Sequence, residues 1–180
     1  MDLPQRFSLF LTPCAGDFAY LETVIGKVSA DCGAVPFEPH VTVYSGRYVG
    51  PDVTRQAMFG AVRGMAPFSL KGTGIGFSLE YFKTLFIEFE ESPLLREIHD
   101  RMKQALGEDS GYRLIPHLSL LYSEMPLAEK EAVARRTALD RSEILFDRVK
   151  IVVPRNPDQG WRDIGRWATM FSATLGGATR

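Results

Sequence analysis

The sequence predicts an α+β fold built mainly of antiparallel strands. Three observations carry that prediction. Segments with apolar residues at helical spacing alternate with segments rich in aromatic and β-branched residues, so both element types are expected. Their order runs strand, helix, strand, helix, strands, and then helix, strand, helix, strands. This points to two half-similar lobes more than to a doubly wound parallel sheet. Two short strings then recur, one in each half: Pro39-His40-Val41-Thr42-Val43-Tyr44 and Pro116-His117-Leu118-Ser119-Leu120-Leu121-Tyr122.

Arg6 to Thr12 reads as a strand covered on both faces, stopped by Pro13 and Gly16. Phe18, Leu21, Ile25 and Val28 mark a helix over 18–32 that ends at Gly33. The loop 35–39 leads into the first histidine strand. Pro51 opens a second helix over 52–65, closed near Gly64 and Pro67. Residues 68–80 and 81–90 read as two strands. Ser92 as N-cap with Pro93 at the first helical position starts a helix running to Leu106, before Gly107. The second histidine strand follows, then a charged helix over 126–139 and closing strands over 144–153 and 167–175. Between those last two, 154–160 is a polar, turn-rich loop.

The chain has 180 residues, 45% of them hydrophobic, enough for one substantial core; a single domain over 1–180 is expected. Its 21 Lys and Arg against 22 Asp and Glu leave a net charge of −1, which argues against a life on a nucleic-acid backbone or an anionic membrane. Cys14 and Cys32 have no close partner spacing and read as free thiols, one disulfide being the alternative. The start of the chain lacks the apolar core of a secretory signal, and no apolar run reaches the length of a membrane span. A cytoplasmic protein, monomeric by default, is the expectation.

The two strings hold two of the chain's three histidines. On a strand, residues i and i+2 share a face, so His40 lies with Thr42 and His117 with Ser119, the apolar residues pointing the other way. Histidine titrates near neutral pH, so a facing pair supplies a general base and a general acid. Hydroxyls on the same faces can donate to non-bridging oxygens of a bound anion. Two imidazoles and two hydroxyls on one point suit a phosphate diester, with no metal required.

Other signals have plainer readings. His99, mid-helix among charged neighbours, reads as a residue on a solvated face. The glycines of 71–76 imitate a nucleotide loop but lead into strand-like residues, so a bulged strand is expected. Trp161 and Trp167 could stack on a base, although tryptophan in a closing strand more often serves the core. A zinc site lacks a three-ligand set, and a Ser-His-Asp hydrolase lacks the G-x-S-x-G elbow.

The paired strings resemble the H-x-[ST]-x signatures of the two-histidine (2H) phosphoesterase superfamily. Within it, PHLSLLYSEMPLAEK is similar to the second motif region of the cyclic phosphodiesterases (CPDases) of plants and yeast. Chain length, motif separation and the strand ending EYFKTLFIEFE agree with that branch. The resemblance implies a bilobal fold with two mainly antiparallel sheets facing across a V-shaped cleft and helices outside. It implies metal-independent hydrolysis of a cyclic phosphate on ribose, with no cofactor. The substrate class would be ADP-ribose 1″,2″-cyclic phosphate, opened to the 1″-phosphate, or nucleoside 2′,3′-cyclic phosphates, opened to 2′-phosphates. The catalytic set carried over is His40, Thr42, His117 and Ser119, the first histidine protonating the leaving group and the second activating water. Tyr122 corresponds to a residue contacting phosphate or substrate, and Phe82 to an aromatic at the cleft mouth.

A small-molecule nucleotide substrate is therefore expected, with no membrane and no stable nucleic-acid partner. An RNA-directed enzyme of the same superfamily, acting on 2′,3′-cyclic ends or 2′–5′ linkages, is the alternative enzyme. It is disfavoured by the lack of basic excess. An idle nucleotide- or RNA-binding module on the same fold is the non-enzymatic alternative, disfavoured because both proton-transfer groups are intact.

Overall fold

The structure, a computed structural model, describes residues 6–107, 110–154 and 167–177. Seven strands, β1 (Arg6–Pro13), β2 (Val41–Arg47), β3 (Phe68–Phe77), β4 (Leu85–Phe89), β5 (His117–Leu121), β6 (Glu143–Pro154) and β7 (Trp167–Thr174), pair antiparallel throughout. Among the described residues four α-helices accompany them: α1 (Ala15–Asp31), α2 (Pro51–Val62), α3 (Pro93–Leu106) and α4 (Leu127–Arg136). The α+β class read from the sequence is the class observed.

The strands form one hydrogen-bonded sheet in the order β1-β2-β5-β4-β3-β6-β7, with β1 also paired to β6. Two halves are recognisable within it, β2-β1-β6-β7 and β5-β4-β3. They join through a single register pair, Val41 with Leu118, and through the start of β6 against β3, Phe68 with Phe146 to Lys71 with Glu143. The two sheets expected from the resemblance are thus halves of one continuous sheet. The junction at Val41 and Leu118 sets the two histidine strings side by side.

The core is aliphatic and aromatic. Phe7, Leu9 and Leu11 of β1, Val41 and Val43 of β2, Leu118 and Leu120 of β5, and Leu21 and Ile25 of α1 are fully buried. The alternation that predicted the strands is therefore the alternation between core and cavity face. In α3, the Ser92 hydroxyl accepts the Leu95 N–H at 3.3 Å and Gly107 closes the helix in the left-handed region, φ 60°. α3 packs on α2 and β2, while α1 lies on β5.

Several expected boundaries move. The strand read over 81–90 begins only at Leu85, because Tyr81–Lys83 form a 3-10 turn. That turn is clamped: the Ser78 hydroxyl donates to the Lys83 carbonyl at 2.7 Å, and the Thr84 hydroxyl sits between the Tyr81 and Ser123 carbonyls at 2.9 and 2.8 Å. The strand before it ends at Phe77. The last helix stops at Arg136, where the Thr137 hydroxyl donates to the Val133 carbonyl at 2.8 Å. The glycine-rich 71–76 segment is a strand with a register shift between Gly72 and Gly74, as expected. Cys14 and Cys32 are free thiols, each partly exposed. Trp161 and the loop 155–160 lie outside the described residues. Among the described residues no helix is long and apolar enough to cross a membrane.

Candidate active site

A cavity of about 370 Å³ opens where the two halves of the sheet meet. Its lining includes His40, Thr42, His117, Ser119, Phe82 and Tyr122, so all six residues singled out in the sequence come together.

The two histidines are held alike. His40 Nδ1 lies 2.6 Å from the Glu38 carbonyl, and His117 Nδ1 lies 2.7 Å from the Ile115 carbonyl. A carbonyl oxygen only accepts, so Nδ1 carries the proton in both rings and Nε2 is the nitrogen left unprotonated in the neutral form. The proline before each histidine favours an extended residue ahead of it, which turns that carbonyl of residue i−2 back toward the ring.

Their surroundings differ. His40 is buried and stacks on Phe10, ring centroids 3.6 Å apart and planes 14° from parallel. Burial lowers its pKa to about 4, the Glu38 carbonyl resisting and the His117 and Lys150 charges adding to the fall. His117 is partly exposed, with Phe86 edge-on at 5.6 Å. Burial lowers its pKa as well, Lys83 in the same direction, Glu80 and the Ile115 carbonyl against it. Behind His40, the Lys150 ammonium is ion-paired with the Glu38 carboxylate, fixing the residue whose carbonyl holds the ring.

The hydroxyls are placed by a device the sequence did not reveal. Leu9 pairs with Tyr44 but Phe10 pairs with Thr42, so Val43 is an extra residue in β2. This bulge lets Thr42 and Ser45, three positions apart, both line the cavity. It is braced from behind. His99 Nδ1 donates to the Val43 carbonyl at 2.8 Å, and the Tyr112 hydroxyl donates to the Thr42 carbonyl at 2.8 Å. His99 is therefore buried, 8% exposed, between Tyr44 and Tyr112, and not on a solvated face. The charged neighbours in sequence misled because only every third or fourth helical residue shares its face.

Ser119 donates to the Phe82 carbonyl at 2.8 Å, tying β5 to the 3-10 turn. In this state its proton points at the protein, so serving an anion requires the hydroxyl to rotate. Tyr122 is buried and stacks on Phe37 at 3.9 Å and 8°, with Phe82 edge-on at 5.3 Å. Burial pushes its hydroxyl far above the usual range, against a hydrogen bond with Ser119, so it stays a neutral donor near pH 7. Phe82 lines the cavity from the 3-10 turn.

Sequence reasoning missed the rest of the lining, Arg6, Ser8, Ser45, Lys83 and Tyr112 among them. Of the two readings of Trp167, base stacking or core, its place in the cavity lining, tilted against Phe10 at 5.3 Å, fits the first. Period-2 alternation would have placed Arg6 and Ser8 on the face of Phe10, but β1 carries no polar motif to draw attention. Among the described residues no group of three His, Cys, Asp or Glu side chains is arranged to hold a metal ion.

A pair of Nδ1-anchored imidazoles over a hydroxyl-lined cavity, on an antiparallel α+β scaffold, is the arrangement expected from the resemblance to two-histidine phosphoesterases. The comparisons place the chain further. The model of the family described as cyclic phosphodiesterase-like protein matches residues 6–170, and the chain belongs to that family. A cyclic phosphodiesterase of Arabidopsis thaliana is 27% identical over 107 residues, 59% of each chain, so the match spans under two thirds of that relative. Escherichia coli LigT complexed with 3′-AMP superposes with a TM-score of 0.65 at 15% identity, covering 97% of this chain and 100% of LigT. The Thermus thermophilus protein TT0787 gives 0.62 at 19% identity, covering 97% and 100%. At such identities these structures show the shared fold.

Proposed function

We propose that this chain hydrolyses a cyclic phosphate on ribose by general acid–base catalysis from His40 and His117. The observation that carries the reading is the matched anchoring of both rings, which frees both Nε2 atoms toward one cavity that Thr42 and Ser119 also line. Water attacks phosphorus as His117 takes its proton. The bond from phosphorus to one ribose oxygen breaks, and His40 delivers a proton to that oxygen, leaving a ribose monophosphate. A bound diester anion stabilises the imidazolium and opposes the burial that depresses His40. Thr42 and Ser119 donate to the non-bridging oxygens. Tyr122 and Phe82 bind the nucleotide.

The substrates proposed are ADP-ribose 1″,2″-cyclic phosphate and nucleoside 2′,3′-cyclic phosphates, opened without a metal or cofactor. A nucleotide ligand is supported by LigT, which has the same fold and has been solved with 3′-AMP, phosphate, ATP and NADP+. One domain over 1–180, acting as a cytoplasmic monomer on a small nucleotide and without a stable nucleic-acid partner, completes the proposal.

The test is turnover of both compounds with EDTA present, the phosphate position in the product assigned by NMR. EDTA-resistant hydrolysis to the 1″- or 2′-phosphate is expected. Loss of activity in EDTA that a divalent metal restores contradicts the mechanism.

A further inference from the structure

Arg6 and Arg47 stand directly opposite each other across the β1–β2 ladder. Like charges at directly opposed antiparallel positions repel, so this pairing is unfavourable unless something negative lies over it. Both residues are exposed, and among the described residues neither guanidinium has a carboxylate partner. The pair is also aligned with the cavity. Along β1, Arg6, Ser8 and Phe10 alternate onto one face, and Phe10 is the ring stacked on His40.

Ser8 faces Ser45 in the ladder, their hydroxyls 3.2 Å apart, and Arg6, Ser8 and Ser45 line the same cavity as His40 and Thr42. The β2 bulge creates this strip, because without the extra Val43 residue Ser45 and Arg47 would point into the core. Strand rise sets Ser8 ~7 Å and Arg6 ~13 Å along the strip from Phe10, and a long arginine side chain can fold back along it.

We propose that Arg6 and Arg47 form a second phosphate subsite, taking a phosphate carried on the 5′ oxygen of the ribose whose cyclic phosphate is opened. The inference rests on the cyclic-phosphate reading above. Two planar forks converging on one anion suit a phosphate's several oxygens better than a single carboxylate. The direction follows from the substrate's shape. A ribose cyclic phosphate at the histidines has its base on one side and its 5′ oxygen on another. The aromatic cluster of Phe82, Tyr122 and Phe37 lies toward β4 and β5, whereas the arginine pair ends the strip on β1 and β2. Ser8 and Ser45 line the path, their protons held only by 3.2 Å hydrogen bonds, Ser8 to Ser45 and Ser45 to the Phe7 carbonyl.

Three substrates test it: uridine 2′,3′-cyclic phosphate, the same compound phosphorylated on its 5′ oxygen, and a dinucleotide ending in a 2′,3′-cyclic phosphate. The expected result is a kcat/KM for the 5′-phosphorylated compound about tenfold above that of the plain one. That ratio shrinks with added salt and falls toward one in R6Q/R47Q. If the double variant fails to fold, R47Q alone is expected to lower the ratio several-fold. A gain confined to the monoester restricts the subsite to small nucleotides, and a gain shared by the dinucleotide extends it to an RNA end. A wild-type ratio near one, or a ratio that survives in R6Q/R47Q, overturns the subsite while leaving the cyclic-phosphate reading intact. No turnover of any of the three overturns that reading, and the subsite with it.

Discussion

The Tyr112 hydroxyl donates to the Thr42 carbonyl at 2.8 Å, fastening the segment that leads into the second histidine string to the strand that holds the first. Two motifs are thereby fixed relative to one another by a half-buried phenol, across 70 residues of sequence at this bond. Tyr112 also packs against Tyr44 and His99, so the brace extends into α3. Removing the hydroxyl alone isolates it. Tyr112→Phe is expected to cost about 1 kcal/mol of stability in urea unfolding, and to lower kcat several-fold with a smaller change in KM. Unchanged kcat and stability together would show that the bond does not position the site.

His99 makes the parallel contact, to the Val43 carbonyl. His99→Ala deletes a buried ring and leaves a buried carbonyl without its donor, a combination expected to cost about 2–4 kcal/mol. A thermal melt of the variant checks this. A solvated helix-face histidine would change stability by less than about 0.5 kcal/mol.

Both histidine pKa values are pushed below 6.5, His40 to about 4. A cyclic diester keeps its single negative charge across the working range, so the enzyme's own groups set the pH profile. Activity in kcat/KM requires one ring protonated and one neutral. It falls above the higher of the two macroscopic values and below the lower. The expected bell therefore has its maximum on the acid side of pH 6.5, and an optimum above pH 7.5 would contradict the burial of these rings.

The same shift makes a stability prediction. Between pH 6.5 and about 4 the unfolded chain binds a proton at residue 40 that the folded chain does not. Stability therefore rises with pH through that window and is lost on acidification, by at most about 3 kcal/mol from this residue. Urea unfolding at pH 7 and pH 4.5 should show a smaller acid loss in His40→Gln than in the wild type. Equal losses would place His40 in water.

Lys150 lowers the His40 pKa and neutralises Glu38. In Lys150→Met the positive charge is gone and the Glu38 carboxylate is left unpaired, and both changes favour the imidazolium. The NMR titration midpoint of His40 is expected to rise while that of His117 stays in place.

The strand periodicity of the two strings was legible because a period of two needs only a few residues to declare itself, and the β5 string carries it cleanly through Leu118, Ser119 and Leu120. The N-cap at Ser92 and the stop at Gly107 were equally plain, since both are local chemistry. What escaped was non-local. The bulge at Val43 exists only against β1, so nothing in Val41-Thr42-Val43-Tyr44-Ser45 reveals that Ser45 shares the cavity with Thr42. The burial of His99 depends on β2 and Tyr112 arriving from other parts of the chain. The turn at Tyr81–Lys83 is held by Ser78, Thr84 and Ser123, partners that composition alone cannot pair.

The most direct test is the rate of nucleoside 2′,3′-cyclic phosphate hydrolysis by His40→Ala, His117→Ala and the double variant, each checked for folding. A general acid and a general base acting in one transition state predict a fall of ~10²–10⁴-fold in kcat for either single variant. The double variant should then lose far less than the product of the two. Full activity in either single variant would contradict the assignment of the two histidines as the catalytic pair.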